Sequence, residues 1–316
     1  MYNSTSSETV NNSTSSVPKN NSTTLLRNIF PVNWIDFTQH YNTFVSLLKW
    51  SDTTQGLLFP SESKPELNKM WLSAVMRSNR VKIFLKHDVY KSWKFVYVYP
   101  HLEHVGNTSW TVGFRVTNKT GELLSLIETT MVFTNANHTS SIPISESNKQ
   151  QMLQMISSNH SNQLLKLGRP TFDPPSQLLQ EVDPWQFDTV VRITDCDSLN
   201  HINNAQYAVL VEEIRLHGAY LNKYGSNDML GSLPACELSI AYLGQAHPFE
   251  TMKITTFKIS KQRQSKEKGK KRKMTNEEKK ECSYRTDFYI DNEIITQSIL
   301  TVRKQDNDAK SVKPKL

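Results

Sequence analysis

Cysteine is scarce in this chain of 316 residues: Cys196, Cys236 and Cys282 are all there is, with no C-x-x-C pair among them. An odd count without that spacing excludes a disulfide framework and a cysteine-based zinc site, and it points to a reducing compartment. Long apolar runs are missing as well. None approaches the ~20 residues of a bilayer-crossing helix, and no apolar core of ~7–15 residues near the start marks a secretory signal. Apolar residues make up only 37%, low for one compact body of this length, so part of the chain is expected to stand outside any core.

Two segments account for that part. The first 25 residues contain 17 Ser, Thr or Asn and no apolar periodicity, which predicts a disordered tail over residues 1–26. Lys19 and Arg27 are the only cations near this start; that is few for a mitochondrial transit peptide, so the cytoplasm is the expected location and the mitochondrion the alternative. Positive charge outside one place is also scarce. Lys261–Glu281 carries ten Lys or Arg and four Glu, a net of +6 within a whole-chain +7. The basic balance therefore belongs to one loop. Nucleic-acid binding needs cations interleaved with aromatics over a folded surface, and no nucleic-acid partner is expected. KGKKRK within the loop has the composition of a nuclear-import or anionic-lipid signal, but a solvated insertion between two strands is the plainer reading.

What is present is a repeat. Asp36, His40 and Asn42 have the spacing D-x-x-x-H-x-N, and Asp197, His201 and Asn203 have it again 161 residues later. Ordinary residue frequencies make a chance second copy a matter of about a few per cent. A helix-compatible run follows each copy, TFVSLLKW and AQYAVLVEEIRLHGAYL. In the second, Tyr207, Leu210, Val211, Ile214, Gly218 and Leu221 form one apolar stripe, and Asn203 or Asn204 suits the N-cap. Strand-like segments with period-two alternation come next. Trp110, Val112, Phe114 and Val116 share one face in the first half; Cys282, Tyr284, Thr286, Phe288 and Ile290 do so in the second. Each half thus reads as a strand, a long helix and several antiparallel strands whose apolar face the helix covers. The expected organisation is a first domain over 27–145, a linker with a short helix over 146–185, a second domain over 186–305 carrying the insertion 261–281, and a flexible end over 306–316. The fold class is α+β.

The stretch TDCDSLNHINN, Thr194–Asn204, concentrates short polar side chains where a strand gives way to a helix. A helix N-terminus offers unpaired N–H groups and about half a positive charge, a natural place to polarise a carbonyl oxygen. Asp197, on the loop leading in, can serve as general base on a water or as nucleophile. His201 can orient that carboxylate or hydrogen-bond the reacting group, and Asn203 or Asn204 can hold the loop or the water. No acid is evident for a leaving group, which favours a thioester, since a thiol of pKa ~8.5 departs as thiolate without much help. Cys196 stands between two aspartates, which raise its pKa, so it reads as structural.

TDCDSLNHINNAQYAVLVEEIR resembles the D-x-D-x-x-x-H-x-N-N-x-x-Y signature of the hot-dog thioesterase superfamily, in its 4-hydroxybenzoyl-CoA thioesterase-like and acyl-acyl-carrier-protein thioesterase-like branches. The match is close over Arg192–Arg215, and the layout extends over Phe30–Lys304. The resemblance implies two tandem hot-dog units, each a long helix wrapped by an antiparallel sheet, with the sheets joined as an intrachain pseudo-dimer. It implies an acyl-CoA or acyl-carrier-protein thioesterase that needs neither metal nor cofactor, working as a monomeric pseudo-dimer or a homodimer of it. Asp197, His201 and Asn203 match the catalytic positions, while Asn204, Tyr207 and, on the following strand, Gln245 match substrate-binding ones. Departures exist: Leu199 stands where plant-type enzymes carry asparagine, and Gln245-Ala246 where they carry an acid and a cysteine. Asp36, His40 and Asn42 would form a second or degraded site. A non-catalytic acyl-thioester-binding scaffold and a hot-dog 3-hydroxyacyl-thioester dehydratase are the alternatives.

Overall fold

The computed structural model describes residues 27–31, 40–59, 62, 64–84, 95–136, 138–158, 167, 172, 184–197, 199–224, 235–259 and 281–303. The hydroxyl-rich start, Asp36, most of the linker, residues 261–280 of the Lys-rich insertion and the end over 306–316 lie outside them.

In chain order the elements are β1 (Asn28–Pro31), α1 (His40–Gln55), α2 (Pro65–Leu72), β2 (Ala74–Ile83), β3 (Phe95–Val105), β4 (Ser109–Thr117), β5 (Leu123–Phe133), α3 (Glu146–Ser158), β6 (Trp185–Val190), α4 (Asn204–Tyr220), β7 (Ala235–Tyr242), β8 (Thr251–Ile259), β9 (Glu281–Ile290) and β10 (Glu293–Arg303). All ten strands join one antiparallel sheet in the order β1-β3-β4-β5-β2-β7-β10-β9-β8-β6. From either edge inward the order is first, third, fourth, fifth and second strand of a half. The same topology is therefore written twice and joined back to back, with β2 pairing β7 at the seam from Ser78↔Ala241 to Lys82↔Glu237. Short turns explain the antiparallel neighbours. Gly121, at φ 83°, closes β4–β5, and Asp291 and Asn292, both at positive φ, close β9–β10.

The inner face follows the alternation read from the sequence. Trp110, Val112, Phe114 and Val116 are wholly buried, as are Phe44 and Leu47 on α1, and Phe59 meets the Trp110 ring edge-on at 6.2 Å. Truncating one such side chain to alanine costs about 2–5 kcal/mol. On α4, Tyr207, Val211, Ile214 and Gly218 are buried, with the Tyr207 ring against Phe288 of β9, whereas Leu221 lies just past the helix end and is exposed. α1 and α4 pack against one another across the seam. α2, which periodicity did not reveal, opens on Pro65, whose fixed φ suits a first helical position.

The outer face departs from a simple apolar-in, polar-out sheet. Arg285 and Asp287 sit on the β9 face opposite Tyr284 and Phe288, yet both are buried, with Arg285 Nε 2.8 Å from Asp287 Oδ1. On the first half, His101 Nε2 lies 3.0 Å from Glu103 Oε1, both side chains nearly buried. Their neighbour across the ladder is Gly113, where a Cβ would overlap both groups. Glu128 accepts from the Leu167 N–H and Arg80 donates to the Leu167 carbonyl, so Leu167 is held against this face by a pair of opposite charges. Among the described residues no helix is long and apolar enough to cross a membrane.

Candidate functional site

The loop between β6 and α4 is organised by its two aspartates, and they do different work. Asp195 is buried, and both its oxygens accept from Arg192: Oδ2 from Nε and Oδ1 from Nη2, each at 2.9 Å. Its backbone carbonyl accepts from Asn203 N–H. Asp195 is thereby fully engaged in holding the loop. Asp197 is half-buried and accepts the Leu199 N–H at Oδ1, 2.8 Å, an Asx turn that lets Asn200 take a left-handed φ of 65°. His201 Nδ1 lies 3.5 Å from the same oxygen. Among the described residues nothing engages Oδ2, and Asp197 lines a cavity of 980 Å³.

The cavity is where the sequence-derived residues meet. His201, Asn203, Asn204, Tyr207 and Gln245 line it along with Asp197. Asn203 is the N-cap of α4: its side-chain oxygen accepts from Ala205 N–H at 2.8 Å, and its carbonyl accepts from Gln206 N–H. Those bonds occupy two of the donors that a helix start leaves free. Asn204 N–H is the donor left over among the described residues, at the positive end of the helix dipole and on the cavity wall. The Asn204 carbonyl is itself held by the Tyr242 hydroxyl, 3.2 Å away. Tyr207 is buried, its ring edge-on to Phe288 at 5.2 Å, and burial pushes its phenol well above the usual range. It shapes the floor as a neutral phenol.

Asp36 and the side chains of His40 and Asn42 lie outside the described residues. α1 begins at His40, so the His40 and Asn42 backbones belong to its first turn, whereas His201 and Asn203 precede α4. The two copies of the spacing therefore differ in local structure.

Periodicity and spacing missed three groups. Asp52, on α1 of the first half, lines the cavity opposite the Asp197 loop. Its carboxyl is reachable from the cavity, but surrounding protein and then the Asp197 charge hold its pKa above the ordinary 3.8. The repeat offset was the available signal: Asp52 occupies the position equivalent to Glu213, one of two helix carboxylates that the sequence offers. His247 packs 6.2 Å from the His201 ring, and its Nδ1–H donates to the Asn200 carbonyl at 3.0 Å. Arg77 reaches the Tyr242 carbonyl at 2.8 Å from across the seam. The other helix carboxylate, Glu212, is fully buried against Arg215 Nε at 2.6 Å and faces the core. Cys196 has its pKa raised by burial first and by Asp195 and Asp197 second, so neighbouring charge is the lesser cause. No group of His, Cys, Asp and Glu among the described residues is arranged to hold a metal.

No family model matches the chain, and no curated protein matches it in sequence. Solved structures do match in shape. A Lactobacillus plantarum protein described as an oleoyl thioesterase superposes with a TM-score of 0.59 at 11% identity, covering 90% of this chain and 98% of that one. The 12:0-acyl-carrier-protein thioesterase of Umbellularia californica gives 0.58 at 12% identity over 89% and 98%. An acyl-carrier-protein thioesterase of Bacteroides thetaiotaomicron gives 0.55 at 10% over 88% and 97%. Likeness at such identity speaks for architecture. The chain is an α+β protein of two tandem hot-dog units whose sheets are joined as an intrachain pseudo-dimer.

Proposed function

We propose that the chain is an acyl thioesterase working at the seam cavity. The observation that carries this reading is the convergence, on one cavity, of an engaged but open carboxylate (Asp197), an uncommitted N–H at a helix start (Asn204) and a second carboxyl from the other half (Asp52). The fold shared with solved thioesterases supports it.

In this reading the thioester oxygen lies on Asn204 N–H. Asp197 takes a proton from a water, whose oxygen bonds to the carbonyl carbon as the C=O pair moves onto oxygen. The resulting oxyanion is stabilised by the N–H and the helix dipole, worth a factor of about 10²–10³ for one such donor. Collapse re-forms C=O and breaks C–S. The thiolate then takes the Asp52 proton, and the proton held by Asp197 returns through solvent to Asp52. One water and one thioester become one carboxylic acid and one thiol. His201 keeps Asp197 in place through Oδ1, leaving Oδ2 for the water.

Thiol release from a panel of acyl-CoA esters tests the reading. Asp197→Asn is expected to lower kcat by about 10²-fold or more. Wild-type protein that binds acyl thioesters but releases no thiol would make it a binding scaffold instead. Hydration of a trans-2-enoyl thioester without thiol release would identify the dehydratase alternative.

A further inference from the structure

The two edges of the ten-stranded sheet are finished differently. β1 is four residues long and ends on Pro31, a short edge of the kind that blocks further pairing. β6 is six residues long, WQFDTV, with neither proline nor lysine in it. Only β8 pairs it among the described residues, and Gln186, Phe187, Asp188 and Val190 are exposed. The direction of its free backbone groups follows from one bond. Val191 N–H donates to the carbonyl of Glu250, the residue opposite it when the β6–β8 register is continued. Alternation along an antiparallel ladder then turns the backbone groups of Phe187 and Thr189 toward β8, and those of Gln186, Asp188 and Val190 outward.

The inner face beside this edge is apolar and open. Trp185 and Phe187 lie against α4, their rings edge-on to His217 at 5.1 and 6.0 Å. Tyr220 and Leu221 follow three and four residues after His217, so they continue its side of the helix past the stack. Phe187 is 37% exposed, Tyr220 72% and Leu221 44%. An open edge with exposed aromatic and aliphatic groups beside it is the pattern by which one strand adds to another sheet.

We propose that β6 pairs antiparallel with β6 of a second copy of this chain, joining the two ten-stranded sheets edge to edge. Self-pairing about a two-fold axis must set outward residues opposite outward residues, which leaves few registers. With Asp188 opposite Asp188 of the second copy, two like charges face each other. With Gln186 opposite Gln186, Asp188 falls opposite Pro184, which has no N–H to give. Phe187 opposite Phe187 avoids both. Gln186 then faces Asp188 of the second copy, each such pair exchanging both backbone bonds, with the Gln186 amide a donor for the carboxylate. The two Phe187 rings form the close, non-hydrogen-bonded pair, with Trp185 opposite Thr189 on either side. This register brings the Tyr220–Leu221 ends of the two α4 helices toward the same axis.

Sedimentation velocity on the full chain from about 1 to 100 µM reads this interface without turnover, so its outcome is separate from that of the thioesterase reading. A short strand pair with a helix patch is smaller than a standard interface, and the dimer is expected with a Kd of about 1–10 µM. Asp188→Pro removes an N–H that points away from β8, and Phe187→Lys sets two cations opposite each other. Each should raise Kd by about tenfold or more. Leu72→Ser, which removes an exposed apolar side chain on α2, should leave Kd unchanged. On oxidation, Phe187→Cys should link two copies by a disulfide beyond the wild-type background, because the Cα atoms of such a pair lie about 4.5 Å apart. Gln186→Cys, out of register with itself, should not. A wild type that stays monomeric throughout the range overturns the proposal. So does a dimer that Phe187→Lys leaves intact or, where that variant unfolds, Phe187→Cys that links no better than Gln186→Cys.

Discussion

The Tyr242 hydroxyl, on the seam strand of the second half, lies 3.2 Å from the carbonyl of Asn204, the first residue of α4. It is reached in turn by Asn79 Nδ2 from the first half at 3.2 Å, and Asn79 Oδ1 accepts from Thr129 at 2.8 Å. The N–H proposed to receive the oxyanion is thus held in place by a chain of hydrogen bonds that begins in the other hot-dog unit. Burial pushes the Tyr242 phenol well above its usual range, so it stays a donor at any working pH.

Removing that hydroxyl should loosen the helix start without touching substrate. Tyr242→Phe is expected to lower kcat about tenfold, with KM little changed, because the cost falls on the placement of a donor used mainly in the transition state. Asn79→Leu should fall in the same range, and the double variant should lose less than the product of the two. Steady-state kinetics on one acyl thioester decide it.

Asp52 makes a prediction with a sign. Its folded pKa is raised, so the folded protein holds this proton more tightly than the unfolded chain does. The stability it contributes is complete below the ordinary 3.8 and is lost as pH rises through the raised value. Asp52→Asn removes that loss. Thermal melts of the variant should match wild type in acid and exceed it at neutral pH. In the rate profile, wild type should decline on the alkaline side as Asp52 loses the proton it gives the thiolate. Asp52→Asn should lack that limb, with kcat lower by about 10²-fold at the optimum.

The motif was legible in the sequence because its residues are neighbours: Asp197, His201, Asn203 and Asn204 lie within eight positions and fold as one loop and cap. Tyr207 follows by helical periodicity and Gln245 by likeness to a known pattern. Asp52, Tyr242 and Arg77 reach the same cavity because β2 pairs β7 and α1 packs on α4, contacts between residues about 150 or more apart in sequence. No local periodicity encodes such a contact. The β2 bulge at Arg77 also breaks the two-residue alternation by which strand faces are read. The outer face is not legible for a related reason: Arg285 and Asp287 have the pattern of a solvated strand face, and only the assembled sheet shows them buried.

That buried pair should therefore be costly to break and inexpensive to remove. Burial raises the Asp287 pKa against the opposing pull of Arg285. Arg285→Met leaves an uncompensated carboxylate in the interior and is expected to destabilise by about 3–5 kcal/mol at neutral pH. Adding Asp287→Leu should restore much of that loss. Chemical denaturation of the two single variants and the double variant measures the coupling.

Asn203 separates a structural role from a catalytic one. Asn203→Ala removes the cap on Ala205 N–H and should cost about 1 kcal/mol of stability. Asn203→Asp keeps an acceptor at the helix start and should recover it. A loss of activity in Asn203→Ala that the aspartate variant reverses would identify the cap as its cause.

The central claim is that one carboxylate oxygen on the loop before α4 drives water onto a thioester bond. The most direct measurement is single-turnover thiol release from one acyl-CoA by wild type, Asp197→Asn and Asp195→Asn, each checked for an intact fold by thermal melting. The account predicts that Asp197→Asn stays folded and loses at least about 10²-fold in rate, whereas Asp195→Asn, which loosens the Arg192 contact, loses stability first. Wild-type rates in folded Asp197→Asn would contradict it.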